Sequence, residues 1–365
     1  MRICFLALGK FAHVDPYIDY FRKRGHEVHF VALAPGPSRD VPTHNVGSNG
    51  GFLSLLGKSS YLPAIVRARG VVRRLAPDIV HAHYATSAGL AAFICRVHPW
   101  IVTAHGTDVT LGVNSLLWRV LLRVICRQAD CVHVVSNDLR DKVIGLGTVV
   151  DKVETFSIGI DTTLFRFRER SVSYPAAPLR LICTRRLEAV YDHATIIRGM
   201  SLLKKRGVRF VLTIIGDGIA RAKLETLATE LRIKDWITFA GGVPNNQLPA
   251  ALSEHDIYLS ASTRDGASLC LLEAMACGLY PVVSDIPANT EWIKNGRNGL
   301  LHKVEDPESL AECIGQLMNW TQDKTVALAQ NRELVETRGD RLVNMSRVEE
   351  LYQRLQSRAG SARNH

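Results

Sequence analysis

Short apolar runs alternate with longer stretches of helical periodicity along most of the chain. Residues 2–8 are apolar, a helical stretch extends to residue 24, and residues 28–33 are apolar again. Further buried strands are predicted at residues 78–81, 100–104 and 131–135. This alternation is typical of parallel α/β architecture.

A polar, proline-containing segment at residues 168–178 interrupts the series and predicts a hinge or linker. A second α/β series follows it. Its strands are predicted at residues 179–184, 210–215 and 236–240, and its helices at residues 194–205 and 221–231. The pattern therefore predicts two doubly wound halves that face each other across a cleft, with ligands at the carboxyl ends of the strands.

The domain boundaries follow from this pattern and from the length. A chain of 365 residues exceeds what one hydrophobic core usually supports. We expect an N-terminal Rossmann-like domain at 1–167. A second Rossmann-like domain is expected at 178–345. Residues 346–365 would form a returning helix and tail.

Composition narrows the class of protein. A hydrophobic content of 47% and a charged content of 22% are ordinary for a globular protein. The net charge of +10 indicates anionic partners, which are phosphate groups, acidic lipid or nucleic acid. Nucleic acid is the weakest of these, because no basic and aromatic interleaving accompanies the charge.

The cysteines and the N-terminus indicate a cytoplasmic protein. The eight cysteines contain no C-x-x-C pair and no histidine at ligand spacing, which favours small core residues over a disulfide framework or a metal site. The N-terminal run lacks a small-residue cleavage site and predicts a strand rather than a signal peptide. The longest apolar runs are too short to span a bilayer.

The stretch DGASLCLLEAMACGLYPVVSD, residues 265–285, carries the most chemistry. Ser268 is predicted to cap a helix that starts at Leu269, with Gly278 at its C′ position. Glu273 would lie near the helix start, where the helix dipole keeps it ionised. An ionised carboxylate accepts two hydrogen bonds, which matches the vicinal hydroxyls of a ribose. The backbone of residues 266–269 would offer N–H groups to a phosphate.

Two other segments supply candidate phosphate contacts. The turn Gly216, Asp217, Gly218 follows a predicted strand, where glycine lets the backbone approach a ligand, although any tight strand-to-helix turn favours the same residues. Arg185 and Arg186 follow another strand. Arg186 is the better candidate for a bidentate diphosphate contact, and the alternative is a surface ion pair with Glu188. The full G-x-G-x-x-G fingerprint is absent, which counts against a nicotinamide or flavin enzyme.

A histidine follows a strand of the first half directly. His105, in TAHGTDV, is predicted to project into the cleft, although an isolated histidine is more often structural. His81 and His83, in HAHY, are interpreted as including one of that structural kind.

With these motifs in place, the chain resembles the GT-B fold glycosyltransferases of the retaining, GT4-like group. The likeness is strongest in IIGDGIARAKLETLATEL, ITFAGGVPNNQLPAALSEHDIYLSAS and the 265–285 stretch. It is looser in RGHEV, PDIVHAHY, IVTAHGTDV and GIDTTLF. The final MSRVEELYQRL is similar to the helix that returns to the N-terminal domain in this fold.

The resemblance implies roles for individual residues. Glu273 would bind the ribose hydroxyls of the donor and Arg186 its diphosphate. The nucleobase would lie beside Gly241, Gly242 and Val243, contacted mostly through backbone. His105 would hydrogen-bond the transferred sugar. The remaining donor contacts implied are Gly9 near the phosphates, the turn at Gly216 and Asp217, and the loop Asp265, Gly266, Ala267, Ser268 and Leu269 at the sugar and β-phosphate.

The chain also departs from the family pattern. Asp265 stands where the family usually has Glu, one methylene longer, and Tyr191 stands where a diphosphate lysine is expected. Ile158 replaces the usual Asn before Gly159, and the double-glycine loop after the first strand is reduced to Gly9. These departures affect donor identity and phosphate geometry more than the fold.

The reaction implied is transfer of a glycosyl group from a nucleoside-diphosphate sugar to an acceptor hydroxyl, with the anomeric configuration retained. The acceptor would be a glycan, a glycolipid or a small molecule. The resemblance implies that the domain at 1–167 binds the acceptor and that the domain at 178–345 binds the nucleotide-sugar donor. Catalysis would rest on His105, Arg186 and Asp265. No cofactor and no metal ion are expected, since no Asp-x-Asp motif stands at a strand end. A nucleotide-sugar epimerase of the same fold and a non-catalytic nucleotide-sugar-binding relative are the alternatives.

A mixed apolar and basic segment at residues 51–75 raises a further expectation. It combines leucines and phenylalanine with Lys58, Arg67, Arg69, Arg73 and Arg74. Such a segment fits peripheral contact with an anionic membrane at the inner face of the cell membrane, as a lipid-linked acceptor would need. The alternative is a core-packed helix with a solvated basic face.

Overall fold

The computed structural model describes residues 1–9, 12–37, 39–47, 62–110, 116–168, 178–318 and 325–363. The chain divides into two compact units. Unit 1 comprises Met1–Ser157 and Asn344–His365, and unit 2 comprises Ile158–Val343. The predicted linker at residues 168–178 lies, apart from its two end residues, outside the described part of the chain.

Within its described residues, unit 1 contains one sheet of seven parallel strands. The strands are β1 (Arg2–Ala7), β2 (Glu27–Ala32), β3 (Thr43–Asn45), β4 (Ile79–His83), β5 (Trp100–Ala104), β6 (Cys131–Val134) and β7 (Val153–Thr155). Their order is β3-β2-β1-β4-β5-β6-β7. The direction of strand addition therefore reverses between β1 and β4, as in a doubly wound fold.

Helices connect these strands. They are α1 (Asp15–Lys23), α2 (Leu62–Leu75), α3 (Gly89–Cys95), α4 (Thr107–Thr110), α5 (Leu116–Gln128) and α6 (Asn137–Gly145). Every residue of β4, β5 and β6 is buried. A parallel sheet covered on both faces requires this, because side chains on either side of each strand meet a packed layer.

Unit 2 repeats the architecture with six described parallel strands. They are β8 (Leu179–Cys183), β9 (Phe210–Ile215), β10 (Ile237–Gly241), β11 (Ile257–Ser260), β12 (Tyr280–Ser284) and β13 (Leu300–His302). Their order is β10-β9-β8-β11-β12-β13. The reversal in this sheet lies between β8 and β11.

The helices of unit 2 pack on both faces of its sheet. They are α7 (His193–Lys205), α8 (Arg221–Glu230), α9 (Leu248–Ser253), α10 (Leu269–Ala276), α11 (Pro287–Thr290), α12 (Pro307–Met318) and α13 (Thr325–Arg338). Leu181 and Ile182, neighbours in β8, belong to two different apolar clusters. Successive strand side chains point to opposite faces, so each cluster is the core under one helical layer.

The last helix, α14 (Arg341–Arg363), begins at the end of unit 2, and its residues from Asn344 onward belong to unit 1. None of the helices in the described ranges has both the length and the apolar character that a membrane crossing requires.

The predicted fold class is confirmed, since both sheets are parallel and doubly wound. The strands predicted at residues 100–104 and 210–215 coincide with β5 and β9, and the other predicted strands and helices agree to within a few residues. The carboxyl ends of β8 and β11, where the sheet order of unit 2 reverses, are where such sheets bind ligands.

Candidate functional site

Two loops meet at the reversal point of the unit 2 sheet. One follows β8 and starts at Thr184, and the other follows β11 and starts at Ala261. They are joined through the backbone, since Thr263 N donates to Val190 O at 2.9 Å. The sequence places arginines on the first loop and Asp265 on the second.

Arg185 is the buried cation of this site, with 8% of its side chain exposed. Its guanidinium forms an ion pair with Asp265 and donates to Ser268 Oγ at 3.1 Å. It also lies over the ring of Tyr191, 4.8 Å from the centroid. Arg185 Nε is buried and makes no hydrogen bond with any described residue. One side chain therefore joins both loops and retains an unused donor.

Arg186 has a different environment from its neighbour. Its side chain is 73% exposed and pairs with Glu188 at 2.6 Å. This is the surface ion pair that the sequence offered as the alternative to a diphosphate contact. Such an exposed pair is weak, so the guanidinium can leave Glu188 for a stronger anion at little cost.

The glycine turn after β9 packs on the arginine loop. A Cβ on Gly216 would lie 2.2 Å from the carbonyl oxygen of Arg185, and Gly216 has φ +141°. Asp217 is exposed, and its carbonyl oxygen accepts from Leu187 N at 3.0 Å. The glycine requirement at 216 is thus explained by close packing within unit 2, which holds the Arg185 segment in place.

The predicted nucleobase residues follow β10. Gly242 is exposed, and a Cβ built on it would meet open space. Val243 is half-buried and packs against the apolar cluster that contains α9 and α10. The backbone at Gly242 is therefore accessible to a ligand. The predicted nucleobase contact, made mostly through backbone, requires this.

The loop from Asp265 leads directly into α10. Asp265 accepts from Gly266 N at 2.8 Å, while Ala267 O accepts from Leu269 N at 3.0 Å. The helix starts at Leu269 and is followed by Gly278 with φ +80°, so the predicted helix ends are confirmed. Ser268 occupies the predicted N-cap position, but its hydroxyl makes no capping hydrogen bond and accepts from Arg185 instead.

Glu273 is the fifth residue of the eight-residue helix α10, rather than near its start. Burial raises its pKa to about 7, although Arg185 and Arg341 oppose the shift. With a pKa of about 7, the carboxyl is only about half ionised at neutral pH, so the predicted full ionisation by the helix dipole does not agree with this environment. Desolvation outweighs the dipole here, since the dipole effect fades within the first turn.

In unit 1, the candidate residues lie at the ends of β1, β4 and β5. Gly9 N donates to Ala34 O at 2.9 Å, and a Cβ on Gly9 would lie 2.3 Å from that oxygen. Arg39 donates to Gly9 O at 2.8 Å. Close packing within unit 1 accounts for the glycine here too.

His105 follows β5 and sits in an aromatic group. Its Nε2 lies 3.1 Å from His83 Nδ1, and its ring stacks on those of His13 and Tyr84. Tyr84 has φ +78°, which is a rare backbone conformation for an aromatic residue. Burial, together with the neighbouring histidines, lowers the pKa of His105 well below its usual value, so its ring is neutral.

His105 is positioned by Asp108, which the sequence did not single out, and by His83, one of the two HAHY histidines interpreted as including a structural residue. The Asp108 carboxylate accepts from the backbone N–H groups of Ala85, Gly106 and His105 at 2.7, 2.9 and 3.2 Å. It thereby joins the segment after β4 to the one after β5. His83 contacts the His105 ring directly. The sequence feature that could have identified His83 as a site residue is its position in HAHY, at the end of a predicted strand.

Within the described ranges, no three His, Cys, Asp or Glu side chains converge so that they could hold a metal ion. All eight cysteines are free thiols, and seven of them are buried. The prediction that they are small core residues agrees with this placement.

Family models match most of the chain. The model described as glycosyl transferases group 1 matches residues 168–333. The model described as glycosyltransferase family 4 matches residues 12–164. The two matched ranges correspond closely to the two doubly wound series.

Individual proteins are similar over comparable lengths. The amylovoran biosynthesis glycosyltransferase AmsK of Erwinia amylovora is 26% identical over 304 residues, which is 80% of this chain and 74% of that protein. The N-acetyl-alpha-D-glucosaminyl L-malate synthase of Bacillus anthracis is 27% identical over 316 residues, 81% of each chain.

A solved structure shares the fold. The crystal structure of Anabaena Alr3699/HepE in complex with UDP superposes with a TM-score of 0.80, at 18% identity, over 97% of this chain and 100% of that one. On these matches and on its two doubly wound parallel sheets, the chain is a glycosyltransferase with the GT-B fold.

Proposed function

We propose that this glycosyltransferase moves a sugar from a nucleoside-diphosphate sugar to an acceptor hydroxyl and retains the anomeric configuration. The observation that carries the proposal is the meeting of the β8 and β11 loops in unit 2, beside α10. It brings Arg185, Asp265 and Ser268 together, with Glu273 on the adjoining helix.

Glu273 is proposed to bind the donor ribose. Burial raises the pKa of its carboxyl to about 7, so about half of it is protonated at neutral pH in the free protein. Two vicinal hydroxyls would each donate to one carboxylate oxygen and so stabilise the ionised form. Donor binding would then release a proton near neutral pH.

The diphosphate is assigned to Arg186, the loop of residues 266–269 and the turn at Gly216 and Asp217. Arg186 is exposed and weakly paired, so it is available for bidentate hydrogen bonds to phosphate oxygens. Asp265 would contact the transferred sugar, and Gly242 and Val243 would lie beside the base. The roles of His105 and Gly9 in unit 1 stay predictions from the family resemblance.

The hard step is departure of the diphosphate while positive charge develops on the sugar. Preorganised donors lower that barrier by stabilising negative charge on the leaving oxygens, and one such donor is worth roughly 10²–10³ in rate. We propose attack from the same face, with the leaving phosphate helping to deprotonate the acceptor. Metal independence is part of the proposal, and undiminished activity in EDTA would support it.

A ligand screen tests the donor site first. Binding to the native state raises the melting temperature, so UDP-, GDP-, ADP- and dTDP-sugars are compared by thermal shift. A UDP-sugar is the first candidate, because the Anabaena structure contains UDP. Transfer is then assayed with the donor that binds, and no stabilisation by any nucleotide sugar would overturn the proposal.

The pH dependence of binding tests the role of Glu273. If the donor selects the ionised carboxylate, affinity should be about tenfold lower at pH 6 than at pH 8, as a pKa of about 7 requires. Glu273→Gln should bind weakly and without this pH dependence. Glu254→Gln, an exposed glutamate of the same unit, is the matched control and should behave as wild type.

Two alternatives give different results in the same assays. An epimerase would convert the donor with no acceptor present, and a non-catalytic relative would bind donors without turnover. The acceptor is proposed to be a glycan, glycolipid or small molecule, and polysaccharide assembly is favoured by the similarity to AmsK. The cytoplasmic location with peripheral contact at the cell membrane also stays a proposal.

A further inference from the structure

Helix α5 of unit 1 exposes an unusual number of large apolar side chains. Leu116 and Leu117 are 76% and 75% exposed, Val120 is 54% exposed and Val124 is 38% exposed. The opposite side of the helix buries Leu122, Ile125 and Cys126 in the core. The helix is thus anchored by one side and presents a second apolar surface outward.

Arginines lie directly beside these apolar side chains. Arg119, Arg123 and Arg127 recur every fourth residue, as do Leu116, Val120 and Val124, so the two sets form neighbouring stripes along the helix. All three arginines are exposed, and none has a carboxylate partner among the described residues. We call the two stripes, together with Leu117, the α5 face.

The surroundings of the α5 face are basic as well. α3 packs against both α2 and α5, and these three helices carry seven arginines and no Asp or Glu. Over residues 41–129 the sequence has nine Lys or Arg against two Asp. Most of the net charge of +10 therefore originates in this part of the chain.

We infer that the α5 face docks unit 1 on a lipid bilayer with anionic headgroups. Exposed leucine and valine beside unpaired arginine is the chemistry of a helix that lies in a membrane interface, with its apolar side chains among the acyl chains and its cations at the phosphates. A second copy of the chain is a poorer occupant, because two arginine-rich faces repel each other. The inference does not depend on which sugar is transferred.

This placement differs from the membrane segment predicted from sequence. Of residues 51–75, those at 51–61 lie outside the described residues. The remainder is α2, which buries Ala64, Ile65, Ala68 and Val72 and exposes arginines. The described part of that segment thus fits the alternative, a core-packed helix with a basic face, and the apolar contact is assigned to α5.

Vesicle flotation of the full-length chain tests the inference. Wild type should float with vesicles of phosphatidylcholine and 30% phosphatidylglycerol, and not with pure phosphatidylcholine. Binding should fall at least tenfold in 0.5 M salt, because the Debye length shrinks to a few ångströms. Absence of binding to the anionic vesicles at low salt would overturn it.

Three variants locate the contact. Leu117→Gln with Val120→Gln should weaken binding at least tenfold through loss of apolar burial. Arg119→Gln with Arg123→Gln and Arg127→Gln should weaken it roughly a hundredfold, since each cation near an anionic surface contributes about fivefold. The matched control removes three exposed arginines of unit 2, with Arg198→Gln, Arg209→Gln and Arg297→Gln, and should stay within twofold of wild type.

Two results would overturn the assignment to α5. One is wild-type binding by both α5 variants, with circular dichroism showing that they remain folded. The other is a wild-type dimer that Leu117→Gln with Val120→Gln dissociates, which would make the face a protein interface instead.

Discussion

Arg185 and Arg186 are adjacent in sequence yet occupy opposite environments. Arg185 is buried against Asp265, whereas Arg186 is mostly exposed against Glu188. A buried ion pair contributes little net stability, but removing one partner leaves an uncompensated charge in low dielectric, at a cost of about 3–5 kcal/mol. Arg185 and Asp265 should therefore be strongly coupled.

A double-mutant cycle measures that coupling. We expect Asp265→Asn to destabilise the chain by about 3 kcal/mol, and the double variant with Arg185→Met to be less destabilised than Asp265→Asn alone. The free energy of unfolding in urea is the measurement. The comparison pair, Arg180 and Asp256, has a half-exposed arginine and should couple by less than about 1 kcal/mol. Equal coupling in both cycles would contradict the assignment of Arg185 to a buried pair.

Glu273 should make stability depend on pH. Its pKa is raised from 4.5 to about 7, so the folded state holds a proton that the unfolded chain releases. This contribution is fully present below pH 4.5 and is lost as pH rises through 7. Glu273→Gln should therefore be more stable than wild type at pH 8, by roughly 3 kcal/mol, and nearly equal to it at pH 4.5. Melting curves at both pH values check this, and a constant difference would contradict it.

At the scale of the element, α10 depends on the glycine that ends it. Gly278 has φ +80°, and a Cβ there would lie 3.0 Å from Arg168 O. Gly278→Ala should cost about 1–2 kcal/mol, because alanine is strained in the left-handed region and its methyl group meets backbone. Gly315→Ala, inside α12 and with open space around its Cβ, should instead stabilise by about 0.5–1 kcal/mol. Opposite shifts in the urea midpoint are expected, and shifts of the same sign would count against this reading of Gly278.

The elements were predictable from sequence to the extent that their signals are local. The apolar runs of β5 and β9 and the glycine after α10 depend on neighbouring residues, and their predictions agree with the structure. The partner of the Ser268 hydroxyl was not predictable, because Arg185 reaches it from 83 residues away. The exposed apolar side of α5 was also not predictable from sequence. Tertiary contacts, and not the helical spacing of the apolar residues, determine which side of the helix packs against the core.

At the scale of the whole molecule, the C-terminal residues belong to the same unit as the N-terminal sheet. Unit 1 includes the chain from Asn344 onward, and Met345, Val348 and Tyr352 are almost fully buried there. The rings of Tyr352 and Phe21 stack with their centroids 4.8 Å apart. Unit 1 is therefore completed only when the last helix has been synthesised.

A chain of hydrogen bonds links that helix to the sheet, and its directions can be assigned. His133 Nε2 lies 2.9 Å from the Phe156 carbonyl, which can only accept, and burial lowers the pKa of His133 to about 4, so its Nδ1 accepts from the Thr103 hydroxyl. Thr103 must then accept from His81 Nε2. His81 is also neutral, so its Nδ1 accepts from Tyr352.

Removing the first donor of this chain tests it. Tyr352→Phe keeps the ring but leaves His81 Nδ1 buried without a donor, which should cost about 1–3 kcal/mol of unfolding free energy. Tyr20→Phe is the matched control, because the Tyr20 hydroxyl also makes a hydrogen bond that involves α14. Tyr20 donates to Glu349, which keeps Arg24 and His26 as partners, so that change should cost less than about 1 kcal/mol. If the two variants unfold at the same urea concentration, the Tyr352 hydroxyl is not the donor that His81 Nδ1 requires, and the assignment of that hydrogen bond is wrong.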